Sequence, residues 1–391
     1  MMTMLQKIRQ FAGLALTERF RFSLNRENAP SLCFHAIPDA KPLRTFAGIA
    51  LALAVVALAP AESSAEELAK NLFGGQKLPA ATSARSYGFY SKGCFSGGVA
   101  IATDGPTWQA MRLSRNRRWG HPVMINLIEK LSRDATADGW PGLLVGDVSQ
   151  PRGGPMLTGH ASHQIGLDAD IWLTPMPDHR LSASERENMS ATSMIRKGGL
   201  TVDDRLWTPA HARLLKRAAS YPEVERILVH PGIKKKLCDT VKGDRSWLRK
   251  IRPFWGHDYH FHIRIGCQAG SSGCKEQAAV PAGDGCDKSL AWWFTEEPWR
   301  PNKNPDAPKA RDLMTMASLP KECRAVLAAP APVSEAAVTI GGNGTAVAAA
   351  PAPAAEPSVP EIDPSAPPVS ANAYAPTPKV QVPMPRPRPL N

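Results

Sequence analysis

The chain has 391 residues, 43% of them hydrophobic, ten tryptophans and a formal net charge of +12. That apolar supply is enough for a sizeable core, and no internal repeat divides it. The positive charge favours acidic partners. No recognition helix or aromatic-basic motif points to nucleic acid, so an anionic wall polymer or membrane surface fits better.

Residues 1–65 read as a secretory leader. The run Phe46 to Ala59 is apolar and uncharged, Lys41 and Arg44 precede it, and Ser63 and Ala65 supply small side chains before Glu66. Such a run is short for a membrane span and suits the apolar core of a secretory signal. A periplasmic location and no stable membrane span after cleavage are therefore expected.

Residues 66–323 form the folded domain. Val123 to Leu131 has helical spacing of apolar residues, and Leu143 to Val148 is a short strand-like run. The Pro151 to Pro155 cluster is a loop. From Leu167 to Leu173 the pattern alternates: Leu167, Ala169 and Ile171 point one way, Asp168, Asp170 and Trp172 the other. Pro209 to Ala219 reads as a helix, Arg226 to Val229 as a buried strand, and Ile233 to Leu237 as a short basic helix. Tyr259 to Ile265 alternates again, with Phe261, Ile263 and Ile265 on one face. Strands and helices mix without a βαβ rhythm, which predicts an α+β fold with an antiparallel sheet core and flanking helices. Residues 324–391 are rich in Ala and Pro, and from about Ala328 onward the chain reads as an extended, disordered tail.

Outside Cys33 in the leader there are six cysteines: Cys94, Cys238, Cys267, Cys274, Cys286 and Cys323. An even number in an exported chain suggests up to three disulfides. Cys267 with Cys274 would close a small loop and Cys94 with Cys323 would tie the domain ends. Connectivity stays open, since six cysteines allow 15 pairings.

Two stretches hold five of the ten histidines: Gly159 to Trp172, with His160 and His163, and Trp255 to Ile263, with His257, His260 and His262. Imidazole and carboxylate are zinc ligands. On a strand His260 and His262 share a face, so one can be a ligand and the other a nearby base. His163 reaches Asp170 across Gly166, where the chain can bend. With His262 they make two histidines and one aspartate, leaving a fourth position for water as in catalytic zinc sites. Asp168 points with Asp170 and is expected to serve a supporting hydrogen bond. Arg152, Arg264 and Trp255 lie near these motifs without an assigned role.

The same residues fit the His-x6-Asp element (His163 to Asp170) and the His-x-His element (His260-Phe261-His262) of lysostaphin-type and D-Ala-D-Ala metallopeptidases. The longer match, Gly159-His160-Ala161-Ser162-His163-Gln164 with Gly166-Leu167-Asp168, resembles the penicillin-insensitive murein endopeptidases. So do Val224 to Ile227, Ile233-Lys234, Trp247 to Pro253, Tyr90 to Cys94 and Gly283 to Cys286. The resemblance implies a fold of the D-Ala-D-Ala peptidase type and a periplasmic zinc endopeptidase. Its substrate would be peptidoglycan, at the D-alanyl–meso-diaminopimelyl cross-link. It implies His163, Asp170 and His262 as zinc ligands, with His260 as general base. It also implies His257 as a holder of substrate or oxyanion, and His160 as a contact to a second ion or to substrate. A second metal would need a further Asp and His, but Met194 to Leu206 offers Asp203 and Asp204 without a histidine, and His211 lies in the next helix. The competing readings are a zinc carboxypeptidase of the D-Ala-D-Ala type and a non-catalytic wall-binding scaffold. Oligomeric state is not readable.

Overall fold

The computed structural model describes residues 66–301, 303, 304 and 306–341. The expected leader with Cys33, and residues 342–391 of the expected tail, lie outside the described residues. In chain order the strands are β1 (Arg85–Phe89), β2 (Lys92–Ser96), β3 (Val99–Ile101), β4 (Trp108–Ala110), β5 (Trp119–Gly120), β6 (Leu143–Val145), β7 (Asp168–Trp172), β8 (Val224–Val229), β9 (Ile251–Pro253), β10 (His260–Ile265) and β11 (Thr339–Ile340). Six form one sheet in the order β4-β6-β7-β10-β8-β9.

The fold is mixed α/β. The alternation read from sequence holds in β7 and β10, which pair antiparallel at the centre of the sheet. The β6–β7 and β10–β8 ladders are antiparallel too, but both outer pairs, β4–β6 and β8–β9, are parallel. The sheet is therefore not purely antiparallel as expected. Strand direction at an edge depends on how the chain returns, which local periodicity does not encode.

One face of this sheet is the core. Ala169, Ile171, Ile227, Val229, Phe261, Ile263 and Ile265 are buried in one cluster with Met124, Ile125, Ile128 and Leu131 of the helix Pro122–Ala137. Leu214, Leu215 and Ala218 of the helix Pro209–Ser220 join them. Both helices start on a proline, where the missing N–H costs nothing, and both are capped from a histidine. His121 Nδ1 accepts from the Val123 N–H, and His211 Nδ1 from the Thr208 N–H. The opposite face of the sheet carries Asp168, Asp170, His260, His262 and Arg264, all buried beneath loops. Among the described residues no helix is long and apolar enough to cross a membrane.

The boundary placed at residue 323 is too early. Glu322–Ala328 is a helix, and β11 pairs in parallel with β3. Arg152 explains why an Ala/Pro-rich stretch is held: its Nη1 donates to the carbonyls of Val326, Leu327 and Ala329 at 2.7–2.8 Å, capping that helix C-terminus. Arg152 is thus a structural residue. Three disulfides close the domain: Cys94–Cys323, Cys238–Cys286 and Cys267–Cys274. The first spans 229 residues and ties the helix Glu322–Ala328 to β2. Replacing Cys94 and Cys323 together by Ser is expected to lower the unfolding free energy by about 2–5 kcal/mol. Guanidinium melting under non-reducing conditions measures it, and a loss below about 0.5 kcal/mol would mean packing alone holds this end.

Candidate metal centre

The site grows from the register of two strands. β7 and β10 pair so that His262 stands opposite Asp170, His260 opposite Trp172 and Arg264 opposite Asp168. Paired residues project to one face, so two carboxylates and two imidazoles meet there by alternation alone. The loop before β7 brings two more imidazoles. It turns at Gly166, whose φ is +72°; a Cβ there would lie 2.9 Å from the Phe95 ring and 3.0 Å from the His121 nitrogen. The same loop holds His163 at φ +66°, and His257 sits at φ +57° before β10. Left-handed backbone at a non-glycine costs about 1–2 kcal/mol. At His163 it is offset by an N–H donated to Asp168 Oδ2 at 2.9 Å.

Asp170 is the centre. Its Oδ1 faces His163 Nε2 at 3.4 Å and His262 Nδ1 at 3.2 Å. Its Oδ2 faces His160 Nε2 at 3.4 Å and His260 Nε2 at 3.6 Å. The His257 ring lies tilted beside that of His260, with ring centroids 4.8 Å apart. The structure therefore brings together all six residues singled out in the two stretches: His160, His163, Asp170, His257, His260 and His262. His160, His163 and Asp170 offer three ligand atoms within 4.8 Å of one another, a group that could hold a metal ion.

Three buried carboxylates stand here, and their partners differ. Asp168 is held by Arg264, with Nε donating at 2.7 Å and Nη2 at 3.2 Å. Asp147 is held by Arg117 at 2.8 Å, and His160 Nε2 lies 3.4 Å from it. Asp170, 3% exposed, is faced by imidazoles, and among the described residues no lysine or arginine pairs with it. A buried carboxylate needs a compensating positive charge. Moreover, Asp170 Oδ1 and His163 Nε2 are buried without a hydrogen-bond partner although they converge on one point. A cation between them would satisfy both atoms and the charge, so the residues present fit a bound metal.

The imidazoles are pre-oriented for this. His163 Nδ1 lies 2.6 Å from the Val148 carbonyl, which in the neutral ring leaves Nε2 without the proton and turned toward Asp170. His262 Nε2 lies 2.9 Å from Asp168 Oδ1, which leaves Nδ1 for the centre. Asp168 thus has the supporting role expected of it.

Burial opposes a charge on His160, His163, His257 and His260. It lowers His160 to about 4, with the His163 charge adding to the effect, and it lowers His260. Burial and the neighbouring His260 hold His257 well below the ordinary histidine range. His163 is the exception: burial is the largest single effect and lowers it, but the charge and hydrogen bond of Asp170, the Asp168 charge and the Val148 carbonyl together raise it. Burial would raise Asp170, but His260, His163 and His160 together hold it well below the usual carboxylate range.

The segment considered for a second ion is otherwise engaged. Asp203 is clamped by Arg205, and Asp204 by Lys236 and Arg196. His211 lies between Trp207 and Trp140, with Nε2 3.1 Å from the Leu173 carbonyl. Two residues of the site, Asp147 and Arg117, were not singled out from sequence. The signal was an aspartate inside the apolar run Leu143 to Val148. Arg264 proves to be the brace of Asp168, and Trp255 lies on the wall of a groove of about 820 Å³ that opens over His160, His257, His260 and His262.

The family model described as penicillin-insensitive murein endopeptidase matches residues 86–328. A Haemophilus influenzae protein named penicillin-insensitive murein endopeptidase is 48% identical over 222 residues, covering 57% of this chain and 77% of that protein. A Klebsiella pneumoniae protein of the same name is 40% identical over 273 residues, covering 70% of this chain and 97% of its own length. An Escherichia coli O1:K1 protein of that name is 38% identical over 249 residues, covering 64% and 88%. The chain belongs to the penicillin-insensitive murein endopeptidase family.

Asp168→Asn removes the charge that anchors both His262 and Arg264. It is expected to weaken retention of a divalent ion about 10- to 100-fold in chelator competition. Unchanged retention would show that Asp168 braces Arg264 only.

Proposed function

We propose that this member of the family is a zinc-dependent endopeptidase hydrolysing D-alanyl–meso-diaminopimelyl cross-links of peptidoglycan in the periplasm. Family membership supports the wall substrate. The three disulfides support an oxidising compartment. The antiparallel β7–β10 pair carrying the His-x6-Asp and His-x-His elements supports a fold of the D-Ala-D-Ala peptidase type. The observation that carries the metal assignment is Asp170, a buried carboxylate surrounded by imidazoles and paired with no guanidinium among the described residues.

His163 through Nε2, Asp170 through Oδ1 and His262 through Nδ1 would hold one zinc ion, and three protein ligands are the pattern of a catalytic site. Bound there, zinc supplies Lewis acidity that polarises an amide carbonyl and makes water acidic near neutral pH. His260 is buried, faces Asp170 and is lowered from the ordinary histidine range by burial, which favours the neutral ring that can take a proton. It accepts the proton of the attacking water and returns it to the leaving amine. His257 lies beside His260 on the groove wall; its Nδ1 donates to the Trp255 carbonyl at 2.8 Å, so in the neutral ring Nε2 is an acceptor, suited to holding an N–H or O–H group of the substrate. His160 keeps Asp170 Oδ2 oriented and is itself steadied by Asp147.

Digestion of purified muropeptides tests this reading. Cross-linked dimers should fall to monomers, the reaction should stop with a chelator, and added zinc should restore it. Release of terminal D-Ala alone would instead indicate a carboxypeptidase, and metal retention without cleavage a scaffold. His260→Ala is expected to keep its metal and lose about 10²- to 10⁴-fold in kcat. Asp170→Asn should lose both metal and cleavage. A His260→Ala enzyme with wild-type turnover would contradict the base assignment.

A further inference from the structure

The sheet register carries the site face beyond the imidazoles. Across the β10–β8 ladder His262 stands opposite Leu228, and Arg264 opposite Arg226. Across β8–β9, Leu228 stands opposite Arg252. Partners in a ladder share a face, so Arg226 and Arg252 lie on the face of His260 and His262. All of these side chains line the same groove. Strand spacing puts the backbones of both arginines roughly 8–10 Å from that of His262.

Three arginines thus gather beside the centre, and one of them, Arg264, has a carboxylate. Arg226 is 9% exposed; its Nη2 donates to the Ala278 carbonyl at 2.5 Å, while its Nε is buried without a partner. The fields of Glu225 and Asp287 reach Arg226 and Arg252 respectively. Yet among the described residues neither arginine forms an ion pair, and Asp287 instead caps its own helix through the Ser289 N–H. A guanidinium buried without an anion is unfavourable, and a second cation alongside makes it more so. An anion entering the groove would relieve both.

We propose that Arg226 and Arg252 form a carboxylate-binding subsite that selects peptides with a free carboxylate beside the cleaved amide. This rests on the endopeptidase reading. In the cross-link, the carbon next to the cleaved nitrogen bears a carboxylate, and the stem peptides bear others. A guanidinium fork accepts such a group bidentately, giving orientation as well as affinity. The amide or ester form of the same peptide offers no charge and leaves both arginines unpaired.

Cleavage kinetics on purified dimeric muropeptides, free or chemically amidated at their carboxylates, test the subsite. The wild type is expected to favour the free form by about 10- to 100-fold in kcat/KM. Arg226→Gln and Arg252→Gln should each shrink that preference, chiefly through KM, and the double variant should cut both forms alike. Should Arg226→Gln fail to fold, Arg252→Gln suffices, since Arg252 is partly exposed and its side chain makes no hydrogen bond among the described residues. Equal rates on both forms in the wild type, or an undiminished preference in the variants, would overturn the subsite. If the wild type cuts neither form, the endopeptidase reading fails. The subsite is then decided by titration calorimetry with the stem tetrapeptide: tighter binding of the free form, lost in Arg252→Gln, supports it, and equal binding of both forms overturns it.

Discussion

A buried carboxylate that no guanidinium meets among the described residues is the constraint around which the site is arranged. Asp170 is buried on the central strand pair and addressed by four imidazoles, two on each oxygen. Its neighbours Asp147 and Asp168 each have an arginine, so their charges are settled within the protein. Asp170 has a charge left to balance. Burying such a group costs several kcal/mol unless a cation joins it. The surrounding residues are positioned to accept one: Val148 and Asp168 occupy the outward nitrogens of His163 and His262, and the inward nitrogens face the carboxylate.

Two of the four left-handed non-glycine residues among those described, His163 and His257, lie at this centre; the His163 ring faces Asp170, and the His257 ring lies against His260. Arg264 holds Asp168, Asp168 holds His262 and the His163 backbone, and the strand register aligns all of them. Farther out, Arg152 and the Cys94–Cys323 disulfide anchor the helix Glu322–Ala328, at the end of the segment that the family model matches. The centre is thus built on a few buried charges: Asp147 and Asp168 each have an arginine, and Asp170 has imidazoles.

Much of this was legible in the sequence because alternation fixes which side chains share a face. Leu167 to Leu173 and Tyr259 to Ile265 placed Asp170 with Asp168 and His262 with His260 before any contact was known. Charge pairing was less legible. Asp147 looked like part of an apolar strand, and its partner Arg117 is remote in sequence, so only the folded chain relates them. The parallel edges β4–β6 and β8–β9 depend on long returns of the chain. Composition misled at residues 324–341, where Ala and Pro suggested a tail; backbone carbonyls accepting from Arg152 hold the helix there, and that interaction leaves no trace in composition. Arg226 and Arg252 lay within matched segments, but their uncompensated charge emerged only from the sheet register.

The account stands on a cation seated at Asp170 Oδ1. Anomalous diffraction at the zinc edge from crystals of the zinc-loaded protein locates such an ion directly. The expected result is one strong peak per chain, about 2.0–2.2 Å from His163 Nε2, His262 Nδ1 and Asp170 Oδ1. No peak at that point, or a peak held elsewhere while Asp170 remains surrounded by imidazoles alone, would contradict it.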